Sequence, residues 1–348
     1  MIKIFLDKLL YSPFEFKHYI KQFKLKNIVI VKKAIDANII ASSYLTILKK
    51  WSQKYKKNKN YLLWTHEPYH DFTLKPLVSL KNGAHIHIMN VYTGDVFTHN
   101  FRYFYFKTQI NWNGVLTKFR QIINDPDKNK IIALSTFYDE KYYKNNPYTI
   151  LPTRYKVIEK GYKENLVDVI GKNWNNHPFI KAVKNSRNDP DRRKSKLELL
   201  DNYCFNICLE NTDFKYYVTE KIWEPIKAGC LPIYWGNSTI YQIFERDSFI
   251  DVKQWIKEHD VEEGISKMYN FINNISESEF MDRYRKCVQA FNKVIDKGHN
   301  NTQILKSHNL NINYLEYETC YNKMLKKIEQ ISGQTRKKLD LKMRKKIV

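Results

Sequence analysis

The chain has 348 residues, 43% of them hydrophobic and 15% aromatic, with ten glycines and ten prolines; a core is easily built, and wholesale disorder, collagen-like repeats and Gly-rich linker architectures are excluded. At roughly 100–200 residues per domain, this length predicts two domains or one large one. Fifty-nine Lys and Arg stand against 36 acids, a net charge of +23, which points to anionic partners without choosing among nucleic acid, a membrane surface and a phosphorylated small molecule.

No repeat of solenoid length is present, and strand-like and helix-like segments alternate. That pattern predicts an α/β fold with parallel sheets. The β-branched run 27–31 reads as a short strand. Residues 36–57 read as a helix, with apolar positions at Ile39, Ile40, Tyr44, Leu45, Leu48 and Trp51. Strands are predicted at 61–64, 84–88 and 102–106, then a helix at 112–123 and a strand at 130–134 that closes the first half. Segment 138–152 is polar, carries two prolines and has no period, so it reads as an interdomain linker.

The alternation then restarts. A helix at 154–166 leads to a strand at 167–170 ending at Gly171, and another strand follows at 203–208. A helix at 219–228 is stopped by Gly229. Strands at 230–235 and 248–252 and helices at 261–274 and 276–297 complete the half. Two similar halves predict two Rossmann-like domains with a ligand-binding cleft, 1–150 and 151–310. A basic tail, 311–348, follows. Its last 28 residues hold ten Lys or Arg and two acids, a local +8, as in a partly amphipathic helix that ends in a solvated extension or meets an anionic membrane surface.

The five cysteines, at 204, 208, 230, 287 and 320, form no C-x-x-C pair. A disulfide framework or zinc ribbon is not expected; Cys204, Cys208 and Cys230 lie in apolar runs and read as buried thiols. The first 16 residues are too interrupted for a signal peptide, and no run of about 18 apolar residues occurs. A soluble, reduced, cytoplasmic protein is expected.

The most informative stretch is 205–236. A strand delivers Glu210 and Asn211 to its carboxyl edge, a polar loop follows, and Thr219-Glu220-Lys221 opens a helix. Thr219 is a helix cap that leaves backbone N–H groups free for an anion. Lys221 sits in the first turn, where the helix dipole favours negative charge, so the placement costs stability unless an anion lies nearby. A diphosphate suits that place, and Glu220 suits sugar or ribose hydroxyls. The plain alternative is a capped amphipathic helix with a surface Glu-Lys pair.

The same stretch resembles the signature of the glycosyltransferase family 10 fucosyltransferases, of α-1,3/α-1,4 type. The matching residues are Glu210-Asn211-Thr212, with Thr for the usual Ser, then Tyr217-Val218-Thr219-Glu220-Lys221 and Pro232-Ile233-Tyr234-Trp235-Gly236. The bacterial branch is the nearer one, since the paired cysteines and membrane anchor of animal members are not found. The resemblance implies a GT-B fold, two Rossmann-like domains facing a cleft, with GDP-fucose on the C-terminal one. It implies donor binding by Asn211, Tyr217, Glu220 and Lys221. Arg154, before the helix and the strand ending in Gly171, fits the place of the family's diphosphate arginine; its plain alternative is a helix-start cation. Glu67, in Thr65-His66-Glu67 just after a strand, fits the family's general base.

The implied reaction is inverting transfer of L-fucose from GDP-fucose to a hydroxyl of an acceptor glycan. Glu67 takes the hydroxyl proton, and Lys221, Arg154 and helix N–H groups stabilise the leaving GDP without a metal or cofactor. On this reading Lys221→Ala and Glu220→Ala nearly abolish transfer while the fold survives. Two Asn-Asp-Pro-Asp segments, at 124–127 and 188–191, contain the D-x-D of metal-dependent transferases but read as turns. The histidines at 66, 70, 85, 87 and 99 lack metal-ligand spacing. Rivals are a same-fold transferase using another GDP-sugar and, more distantly, a basic nucleic-acid-binding protein. The latter explains the charge but not the ordered block, and no nucleic-acid module is recognisable.

Overall fold

A computed structural model of the chain describes residues 1–96, 109–177, 180, 192–256, 260–306 and 320–333. The chain divides into two units, Met1–Phe101 with Asn301–Val348, and Arg102–Asn300.

In the first unit, β1 (Ile2–Leu6), β2 (Ile28–Ile30), β3 (Ile39–Ser42), β4 (Asn60–Thr65), β5 (Leu77–Ser79) and β6 (His85–Asn90) form one sheet in the order β2-β1-β3-β4-β6-β5. Its pairs are parallel except β5 with β6. Helices α1 (Lys17–Leu25) and α2 (Leu45–Tyr55) connect β1 to β2 and β3 to β4. Apolar residues cover both sheet faces, so β3 is buried throughout and β4 nearly so, as in parallel sheets generally.

This corrects the helix expected over 36–57. Ile39 and Ile40 fit a helical stripe, but they also begin a four-residue buried run that pairs with β1 and β4; tertiary pairing decides such short apolar runs. The helix begins only at Leu45. The tail also differs from expectation. A helix over 320–333 buries Tyr321, Met324, Ile328 and Ile331 among Ile4, Phe23, Leu62 and Trp64. Its apolar side is core of the first unit and is not available to a membrane.

In the second unit, β7 (Ile131–Leu134), β8 (Val167–Ile170), β9 (Phe205–Ile207), β10 (Leu231–Tyr234) and β11 (Ile250–Asp251) form an all-parallel sheet in the order β11-β10-β9-β7-β8. Its helices are α3 (Val115–Ile123), α4 (Leu151–Lys163), α5 (Arg192–Leu200), α6 (Glu220–Lys227), α7 (Val252–Trp255), α8 (Val261–Asn273) and α9 (Glu277–Lys306). The strand order reverses between β7 and β9. Open α/β sheets bind ligands at the carboxyl ends of strands flanking such a reversal.

The division between units also falls away from residue 150. β7, expected to close the first half, pairs with β8 and β9 at the centre of the second sheet; a four-residue apolar strand carries no mark of the sheet it joins. The expected linker at 138–152 lies inside the second unit. Its end is tied to the β9 exit by Ile150 N–H to Asn211 O at 3.2 Å, Asp213 N–H to Tyr148 O at 2.8 Å and a bridge between Thr149 and Thr212. The strand expected at 102–106 lies outside the described residues. Both units are thus doubly wound and Rossmann-like, the kind of pair that a GT-B fold contains. Among the described residues, no helix is long and apolar enough to cross a membrane.

Candidate functional site

Past β9 the chain continues in ladder geometry. Cys208 N–H donates to Ile233 O at 2.9 Å and Glu210 N–H to Trp235 O at 2.8 Å. The ladder carries Glu210 to the carboxyl edge of the sheet with no solvent exposure. Its carboxylate accepts from Thr219 N–H at 2.7 Å, Thr219 Oγ1 at 2.8 Å, the Tyr234 hydroxyl at 3.2 Å and Lys221 Nζ at 3.1 Å. Thr219 caps α6, and its Oγ1 also accepts from Lys221 Nζ at 2.9 Å. Gly236 makes room for Tyr234, because a Cβ at Gly236 would stand 2.2 Å from the Tyr234 hydroxyl.

The anion that the Lys221 placement calls for is therefore in the chain itself. Burial lowers the Lys221 pKa, but the carboxylates of Glu210 and of Glu220, 4.0 Å away, raise it, and the net is above the ordinary lysine value. Two of the three Nζ donors are used, on Glu210 and Thr219, which leaves one for a ligand.

Arg154 reaches the same strand exit from the first turn of α4. It is 4% exposed, and Nη1 donates to Leu209 O at 3.1 Å and Asn211 Oδ1 at 3.0 Å. Nε and Nη2 are buried without a hydrogen-bond acceptor among the described residues. Leaving buried donors unpaired costs about 1–3 kcal/mol each, and guanidinium forks match phosphate oxygens. Arg154 and Lys221 thus flank Leu209-Glu210-Asn211 with donors to spare. Of the other expected donor residues, Asn211 is in this cluster, Glu220 opens α6 with its side chain 34% exposed, and Tyr217 is buried in the loop before Thr219.

Glu210, Tyr234 and Gly236 were not expected to matter as site residues. The signal was there: an acid directly after the apolar run Ile207-Cys208-Leu209 must be paired if it is buried.

Glu67 belongs to the first unit, at the exit of β4. Thr65 Oγ1 donates to Glu67 O at 3.0 Å and accepts from Glu67 N–H at 3.1 Å, which fixes the turn. The Glu67 carboxylate lies 3.6 Å from His66 Nε2, and His66 meets the Tyr11 ring edge-on at 4.5 Å between centroids. Close in sequence, His70 stacks on Tyr44 at 4.4 Å, and burial pushes its pKa down to about 4. Asp71 accepts from Thr73 N–H at 2.9 Å and from the Tyr92 hydroxyl.

Asp125 folds as a turn, accepting from Asp127 N–H at 3.1 Å and pairing with Lys128 at 3.0 Å; segment 188–191 and His99 lie outside the described residues. Among the described residues, no group of three or more His, Cys, Asp or Glu is placed to hold a metal ion. The five cysteines are buried and none is in a disulfide.

A buried carboxylate–ammonium pair and a buried arginine with donors unpaired among the described residues thus lie at the switch point of a doubly wound, Rossmann-like unit, where such sheets take ligands. Residues 142–277 match the model of the family described as Glycosyltransferase family 10 (fucosyltransferase) C-term. The chain is 44% identical over 59 residues, 17% of its length, to an alpha-(1,3)-fucosyltransferase FucT of Helicobacter pylori. It is 31% identical over 102 residues, 29% of its length, to a putative fucosyltransferase R654 of Acanthamoeba polyphaga mimivirus. These matches span only 12% and 17% of the relatives' own lengths. A crystal structure of an alpha1,3-fucosyltransferase aligns over 85% of this chain and 90% of that one, with a TM-score of 0.43 and 17% identity.

Proposed function

We propose that the chain is an inverting glycosyltransferase that moves L-fucose from GDP-fucose to a hydroxyl of an acceptor glycan. The observation that carries this reading is Arg154, buried with two unpaired donors beside the Lys221 ammonium, inside the segment that matches the fucosyltransferase family. A diphosphate satisfies both cations and removes the cost of the unpaired donors. Asn211, Tyr217 and Glu220 position the donor. Glu67 takes the proton of the acceptor hydroxyl as that oxygen attacks the anomeric carbon from the side opposite GDP. The bond from that carbon to the β-phosphate oxygen breaks, and the negative charge gathering on GDP meets Arg154, Lys221 and the N–H groups opening α6.

Fixed cations supply the stabilisation that a metal gives elsewhere, so activity is expected to survive excess EDTA; loss restored by manganese would count against this part. The expected cytoplasmic place belongs to the same proposal, in keeping with cysteines that are not joined in disulfides.

The test is a ligand panel read by thermal shift and calorimetry. GDP and GDP-fucose stabilise the protein by mass action, about 2.7 kcal/mol at a hundredfold excess over Kd, and GDP-fucose is slowly hydrolysed without acceptor. Equal stabilisation and hydrolysis with GDP-mannose would move the reading to another GDP-sugar. Stabilisation by short duplex DNA but not by GDP would overturn it.

A further inference from the structure

Glu210 has no role in the transfer chemistry above, yet it is a fully buried carboxylate whose hydrogen bonds converge on Thr219, Tyr234 and Lys221. We propose that Glu210 is a positioning residue that acts through Lys221, fixing the place and charge of that ammonium for the donor diphosphate. This rests on the fucosyl-transfer reading only in naming the ligand.

Lysine has a long flexible stem, and its ammonium is a point charge that a single contact does not orient. Here Nζ is held from two sides, at 3.1 Å by Glu210 and 2.9 Å by Thr219 Oγ1, and Thr219 is itself held by Glu210. The Tyr234 hydroxyl fixes the carboxylate from below, an approach open only because residue 236 is glycine. The third Nζ donor is thereby left with a defined direction.

Charge follows from the same contacts. The other charged or titratable groups facing this pair are Glu220 at 4.0 Å, Arg154 from α4, Cys208, Tyr234 and, farther off, Asp213. Arg154 and burial favour loss of the Lys221 proton, whereas Glu210 and Glu220 oppose it. Without Glu210, a side chain only one-fifth exposed keeps its charge poorly.

The experiment measures GDP affinity by calorimetry at pH 7 and pH 8.5 for wild type, Glu210→Gln, Lys221→Met and the double variant. Glu210→Gln is expected to weaken GDP binding by about 10–100-fold, and its ratio to wild type should worsen at the higher pH. In the Lys221→Met background the same change should have less than about a twofold effect, because the residue it works through is gone. A loss of equal size in both backgrounds would overturn the proposal. If Glu210→Gln does not fold, the Lys221 ammonium of ligand-free wild type is titrated by carbon-detected NMR. Titration at or above the ordinary value of 10.5 supports the proposal, and titration below it overturns it. That measurement uses no nucleotide, so failure of the fucosyl-transfer reading, seen as no GDP binding by wild type, is told apart from failure here.

Discussion

Replacing Lys221 by methionine is expected to damage the fold as well as the ligand site. Methionine keeps the stem and removes the charge. Glu210 is then left with no solvent contact and without its cation, although Thr219 N–H, Thr219 Oγ1 and the Tyr234 hydroxyl still donate to it. Removing one member of a buried ion pair costs about 3–5 kcal/mol. The three surviving neutral donors and the partial exposure of Lys221 place this case at the low end, about 3 kcal/mol. In a unit of this size each kcal/mol moves Tm by about 2–4 °C, so melting should fall by about 6–12 °C. Adding Glu210→Gln to Lys221→Met should return most of that loss, because an amide can keep the same neighbours without an uncompensated charge. Circular dichroism melts of the four proteins decide it. A Lys221→Met protein that melts within about 2 °C of wild type, or a double variant less stable than the single one, would refute the buried-pair account. The motif alone led to the expectation that the fold survives loss of Lys221; the buried partner changes it.

Glu67→Gln keeps shape and hydrogen bonding but cannot accept a proton, so transfer should fall by about 10²–10⁴-fold with GDP affinity little changed; retention of more than a tenth of turnover in a coupled GDP-release assay would make Glu67 structural. His70 is held neutral by burial, with a pKa lowered to about 4. Its stabilising effect is therefore complete above the unfolded value near 6.5 and is lost as pH falls from there toward 4. Urea midpoints at pH 7.5 and pH 5 should show that loss, and His70→Asn should flatten it. Gly171→Ala would put a Cβ 1.7 Å from Ser135 O, so the β7–β8 crossover must shift; a loss of about 3 kcal/mol or more is expected in denaturant titration, and a near-neutral result would mean that this close approach is not as described.

Much of the second unit was legible because its elements announce themselves. Gly171 ends β8 and Gly229 follows α6, each where the periodicity stops. The short central strands were harder. β3 lies inside a segment whose apolar spacing also suits a helix, and only pairing with β1 and β4 makes it a strand. β7 was legible as a strand but not as a member of the second sheet, because neighbour choice depends on crossovers that pattern does not encode. The helix over 320–333 read as part of a basic, partly amphipathic tail because ten Lys or Arg crowd the last 28 residues, and that count does not show where its apolar side docks. Four apolar positions on one side are enough to dock it.

At the site, what reading from the motif supplied was the residue types, and what it lacked was who neutralises whom. A lysine in the first turn of a helix looks like an advertisement for an external anion. Here the chain provides that anion eleven residues earlier, and the case for a ligand moves to Arg154, whose Nε and Nη2 have no acceptor among the described residues. The reassignment matters for selectivity. An ammonium already paired with a carboxylate attracts free anions weakly, since the pair is close to neutral from a distance. A guanidinium with two buried donors rewards a ligand that brings oxygens in a fixed fork. On the proposed reading, a ligand bearing several oxygens on adjacent phosphates is expected to engage the Arg154 donors and the remaining Lys221 donor better than a loose monovalent anion does. Affinity for pyrophosphate should accordingly exceed that for phosphate by far more than the difference in charge alone would give.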